Sequence, residues 1–322
     1  SLSSLPNNHG YDSDFDWDRR FLIPFMQCFC TYYKFIPLAL AILLNYLILF
    51  KSPIYSKEYR RALAFYHISE FFFDIHHLIL FVPYPLFPYP IFLCYGILCQ
   101  LGGPPRLAMT FTGTVGVFAS ISLCLLIFLR MRNIVPVESR FRLSHRQSIF
   151  IIGLTSTIFI LNIPGFAIFA RDSDNKTQIL QRPEFAWVRE VPGALVFGEM
   201  FELGPLNIEI GWLSFSAFYG IVFFPTVIIH SADSLSIERK KLVHLKKKSS
   251  DNATKMLMFQ LFGAVFTFFC PLFGFFLLLM FGLPTSNPNV HSCIRALLMF
   301  LFLNNSMVAI SIHLLMNRTY KK

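Results

Sequence analysis

Residues 256–281 read MLMFQLFGAVFTFFCPLFGFFLLLMF, with no charged side chain. A helix rising 1.5 Å per residue covers about 39 Å over that length, and a bilayer's hydrocarbon core is about 30 Å thick. Six more stretches are long and predominantly apolar, at about Tyr33–Phe50, Ala62–Phe81, Arg106–Leu129, Ile149–Ala170, Ile210–His230 and Cys293–Met316. Each is expected to form a membrane-spanning helix. The fold class that follows is an all-α membrane protein, a seven-transmembrane helix bundle.

Composition agrees. The chain is 55% hydrophobic and 14% charged, with Phe at 39 of 322 residues. Soluble domains carry roughly 25% charged residues. The surplus apolar surface needs lipid as its solvent. Seven packed spans with short loops make one membrane domain at 33–316, preceded by an N-terminal segment at 1–32 and followed by a short tail at 317–322.

The basic residues fall in alternate gaps. The first, third and fifth gaps and the tail hold nineteen Lys and Arg, against seven on the other side. By the positive-inside rule the richer side is cytoplasmic, so the N-terminus is expected outside and the C-terminus inside. The net charge of +10 is therefore read as a match to anionic membrane lipids and not to nucleic acid. The first twenty residues are polar and acidic, so the first span is expected to serve as the insertion signal. Asn175, in an Asn-Lys-Thr sequon after span four, is the expected glycosylation site.

The stretch from Leu86 to Leu101 is apolar but broken by Pro88 and Pro90. Its unbroken part would make a helix of only about 16 Å, too short to cross. It is expected to be an outer loop lying on or dipping into the bilayer interface. None of the seven Cys has a paired CxxC spacing. Cys28, Cys30, Cys94, Cys99 and Cys293 fall at or near the expected outer side, where disulfides persist, and their pairing stays open.

Span two carries the sharpest local signal: His67, Glu70, Asp74 and His77, spaced to share one helix face. An acid inside a bilayer helix costs about 2.5–3.5 kcal/mol, so these groups should face inward and find partners. Asn45 on span one and Asn304, Asn305 and His313 on span seven are the candidates. Three readings stand: a polar network that sets packing and can act as a switch, a cation pocket, and a zinc site. Pro37, Pro164, Pro225 and Pro271 should kink their helices.

Other seven-helix plans fit less well. A retinal pigment needs a Lys in the last span, and none is there. A metal-dependent membrane enzyme using the span-two acids and histidines would need several His boxes, and only His76-His77 is paired. A transporter or channel would need a polar path or an internal repeat, and no repeat is visible.

Phe73-Asp74-Ile75-His76-His77, then Val82-Pro-Tyr-Pro-Leu-Phe-Pro88 and Cys94-Tyr95-Gly96, resemble the end of span two in nematode serpentine chemoreceptors. Leu49-Phe50-Lys51-Ser52-Pro53 with Tyr59-Arg60-Arg61, and the tail Leu314 to Lys321, are similar to the same family. The nearest class is class I, a sibling of class H in the Str-type superfamily of G-protein-coupled receptors. There is no Asp-Arg-Tyr or Asn-Pro-x-x-Tyr, and the loop after span four has no Cys to tie to span three.

The resemblance implies a sensory receptor in the plasma membrane of sensory-neuron cilia. It implies a small environmental chemical as ligand, a heterotrimeric G protein as partner, no cofactor and no catalysis. By position, the ligand cavity is expected to involve His77, Met109, Thr110, Phe111, Trp212, Phe215, Phe275 and Met299. Arg130, Arg132, Lys240 and Lys241 are expected at the coupling surface. Asn45, His67, Glu70, Asp74, Asn305 and His313 are expected to form the intramembrane polar network, and no metal site is expected.

Overall fold

A backbone in hydrocarbon must satisfy its own hydrogen bonds, so each apolar stretch closes into a helix. The computed structural model describes residues 15, 17–51, 57–134, 144–199, 206–239, 255, 258–282 and 287–316. Among the described residues, five helices are long and apolar enough to cross a bilayer: Asp18–Lys51, Pro105–Leu129, His145–Phe169, Leu206–Val227 and Met258–Phe281. A sixth span is the pair Asn289–Leu303 and Asn305–Leu315, bent by 45°. The remaining rod, Lys57–Ile75 running on into His76–Leu80, is too polar to pass on composition alone. It is the second span, and its polar side chains are buried: His67, Glu70, Asp74, His76 and His77. It packs most extensively on the third span. Meanwhile Phe50, Phe150 and Phe281 point outward, at least 70% exposed, as lipid-facing residues do.

The first helix begins at Asp18, well before the expected Tyr33. Its 34 residues measure about 51 Å, so it stands clear of a hydrocarbon core of about 30 Å.

Helix breaks follow the prolines where a backbone donor is missing. The fourth span turns at Leu161, just before Pro164. The sixth carries a π-helical turn, Val265–Phe269, just before Pro271. The seventh breaks at Asn304 without proline. There the Asn304 amide donates to the Phe300 carbonyl at 2.7 Å, and the Tyr33 hydroxyl donates to Asn304 Oδ1 at 2.5 Å. Pro225 lies within a single described helix, Leu206–Arg239.

The segment after span two is a lid. Strand β1 (Pro83–Pro85) pairs antiparallel with β2 (Ile91–Cys94), which pairs antiparallel with β3 (Leu195–Val196) from the loop after span four. Phe87–Pro88, in the turn, is a cis peptide. Leu86, Phe87, Ile91, Leu93 and Cys94 are buried against the helices. The segment expected as an outer loop is thus a paired hairpin packed on the helices. Cys94 and Cys99 form a disulfide inside the lid. The loop after span four, which has no Cys, is held by strand pairing and by the Cys94 amide donating to the Gly193 carbonyl at 3.1 Å.

Candidate functional site

Beneath the lid lies a cavity of about 700 Å3 of space outside protein atoms, its mouth included. Its walls come from spans two to seven and the lid. Phe87, Phe92 and Phe197 form the roof; Phe166, Leu213, Leu272 and Phe275 are among the wall residues. A second hollow of about 490 Å3 shares Thr112, Phe166, Leu213, Leu272 and Phe302 with the first and extends toward Ser120 and Phe159.

Of the eight residues expected around a ligand, His77, Met109, Phe275 and Met299 line this cavity. The others lie elsewhere. The Thr110 hydroxyl donates to the Arg106 carbonyl of its own helix. Phe111 and Phe215 are each 47% exposed. Trp212 Nε1 donates to the Ile158 carbonyl at 3.0 Å, joining spans five and four. Successive helix positions are about 100° apart, so Met109 and Thr112 reach the cavity while Thr110 and Phe111 turn away.

The polar face of span two meets span seven. Asn305 Nδ2 donates to Glu70 Oε2 at 2.7 Å, and its Oδ1 accepts from Thr267 on span six at 2.9 Å. The Ser306 hydroxyl donates to Asp74. His313 Nδ1 lies 2.8 Å from the Gln260 amide, and its ring stands edge-on to His67. Asn45 turns back on its own helix, donating to the Ala41 carbonyl at 2.9 Å. Five of the six expected network residues thus gather between spans two, six and seven. Among the described residues, no three His, Cys, Asp or Glu groups are placed to share a metal ion.

Removing Asn305 would leave a buried Glu70 oxygen without its donor, which costs about 1–3 kcal/mol. Asn305→Ala is therefore expected to lower the melting temperature of the purified protein clearly more than Asn45→Ala does. Equal melting temperatures for the two variants would exclude this account.

A second polar centre went unnoticed in the sequence. Asp18 and Arg295 are fully buried, at 0% and 2% exposure, and form an ion pair at 2.7 Å. Asp18 also accepts from Tyr84 at 2.6 Å and from Ser292. Arg295 also donates to the Phe87 carbonyl at 2.6 Å and sits over the Phe15 ring. Burial, then the neighbouring Asp18 carboxylate, pushes the Tyr84 phenol well above its usual range, so it stays a donor. This centre joins the first helix, the lid and span seven. The one available signal was a lone Arg inside the apolar run of span seven. Glu209 lies buried in the first turn of the fifth span's helix. It packs so close to Gly165 that a Cβ there would fall 1.5 Å from Oε2.

At the opposite end of the bundle, Arg132 pairs with Glu58 at 2.7 Å, tying the third span to the second at the surface. The Arg130 side chain, Lys240 and Lys241 lie outside the described residues. Asn175 is exposed beside β3, at the lid end.

The profile of the family described as serpentine type 7TM GPCR chemoreceptor Srh matches residues 23–322. The matched class is Srh, where the sequence motifs had put class I nearest. No curated protein matches the chain.

Proposed function

The chain belongs to the Srh family of serpentine seven-transmembrane chemoreceptors, and on that footing we propose that it detects a small, mostly apolar chemical in the cavity under the lid and signals through a heterotrimeric G protein. The observation that carries the ligand part is the cavity itself: roofed, walled largely by Phe, Leu and Met, and bounded by several spans. A ligand bound there would favour one helix arrangement by its difference in affinity between two, and by no more than that difference.

The lid end is the outer face in this reading. The uneven Lys and Arg count supports it, and so does an exposed Asn175 sequon at that end. The opposite end then meets the cytoplasm and anionic lipid, with Arg130, Arg132, Lys240 and Lys241 presented to the G protein. The network of Glu70, Asp74, Asn305 and Ser306 lies between spans two and seven, where it would link the cavity to the cytoplasmic end. The membrane that holds the receptor is the plasma membrane.

Cells expressing the chain, with a calcium or cyclic-nucleotide readout, test this reading in a chemical screen. A response present with G proteins and absent without them is expected. Arg130→Ala with Arg132→Ala should reduce it severalfold at unchanged surface level. A response that persists without G proteins would overturn the signalling proposal. A response untouched by the double substitution would overturn the coupling assignment.

A further inference from the structure

Resting on the reading that the lid cavity takes the ligand, we propose that this ligand is an uncharged, largely apolar molecule carrying one O–H or N–H donor, which it gives to His77 Nε2. His77 lies at the cavity wall and is 1% exposed. Its Nδ1 lies 3.0 Å from the Phe73 carbonyl, one turn back on its own helix. A carbonyl oxygen only accepts, so Nδ1 carries the proton. In the neutral ring Nε2 is then a bare acceptor. Among the described residues no group reaches it.

The other polar side chain in the lining is Thr112. Its hydroxyl oxygen lies 3.1 Å from the Ala108 carbonyl. His76 Nε2 lies 2.9 Å from the same hydroxyl oxygen, and whether the proton goes to that nitrogen or to the carbonyl, the hydroxyl shows the cavity only a lone pair. The polar side chains of the lining thus offer acceptors and no free donor. The lining residues include no Lys, Arg, Asp or Glu. A ketone, ether or ester would bury its oxygen against apolar walls with nothing to bond. An ammonium or carboxylate would bury a charge without a counter-charge, at a cost far above that of a neutral polar group. An alcohol or phenol meets both demands, with its apolar body against the phenylalanines.

The test uses the full chain purified into lipid nanodiscs and four probes of similar size: benzyl alcohol, benzyl methyl ether, acetophenone and ethylbenzene. Binding is read by ligand-induced thermal stabilisation across a concentration series. Benzyl alcohol should bind about tenfold or more tightly than each of the other three, the span expected when a buried acceptor is left unpaired. His77→Leu should erase that preference and keep binding of ethylbenzene, which also reports that the variant is folded. Equal affinity of alcohol and ketone for the unmodified chain overturns the donor assignment and needs no variant. A preference that survives His77→Leu overturns the role of His77. If no probe stabilises the protein, both this inference and the cavity as ligand site fall. Binding with the stated preference but without a G-protein-dependent response in cells upholds the inference and sinks the signalling proposal.

Discussion

Arg295→Met is expected to lower stability by about 3–5 kcal/mol, the cost of stranding one member of a buried ion pair. Asp18 would keep its bonds from Tyr84 and Ser292 but lose its counter-charge, at a position with no access to water. Three parts of the molecule would loosen together, because Asp18 stands at the start of the first helix, Arg295 on span seven, and Tyr84 and Phe87 in the lid. Thermal unfolding in nanodiscs, with cell-surface yield alongside, reads the effect. The double variant Asp18→Asn with Arg295→Met should be milder than Arg295→Met alone, since it removes both charges. A double variant as unstable as the sum of the two singles would show that charge pairing is not the cause.

Gly96→Ala is expected to be nearly as damaging, and to strike the cavity. A Cβ at this position would lie 2.1 Å from the Leu80 carbonyl oxygen and 2.5 Å from the Phe81 nitrogen, both backbone atoms at the end of span two. Neither can swing aside as a side chain would. The close approach is built by two hydrogen bonds, from the Gly96 amide to the Phe81 carbonyl at 2.8 Å and from the Tyr95 amide to the Val82 carbonyl at 3.2 Å. Val82 itself has φ of +44°, uncommon for a β-branched residue, so the chain turns sharply here. Adding one methyl should lift the lid from span two, lower the melting temperature by several degrees and weaken probe binding under the lid. Gly153→Ala is the control: its Cβ would meet nothing within 4 Å in mid-helix, so no loss is expected. Similar behaviour of the two variants would show that the lid does not depend on this contact.

How much was legible follows from which forces act locally. The bilayer demands length and apolarity from each span, and those are properties of contiguous residues, so all seven could be read. Span two is the most polar of the seven, yet its polar residues repeat at helical spacing, and that period marked one face. Glu70 and Asp74 did find partners on span seven, at Asn305 and Ser306. Asn45 did not join them: its side-chain amide bonds the Ala41 carbonyl one turn back on its own helix. The lid was out of reach: strands of two to four residues carry no usable period, and their pairing partner lies about a hundred residues on.

The sequence alone determined the class, the seven spans, the uneven charge and the motifs that point to serpentine chemoreceptors, because each is written in consecutive residues. Tertiary structure alone decided that Asp18 meets Arg295, that the lid closes by pairing with β3, and that Met109 faces the cavity while Phe111 faces out. Those depend on helix rotation and on contacts between distant segments. Sequence spacing records neither until packing brings the segments together.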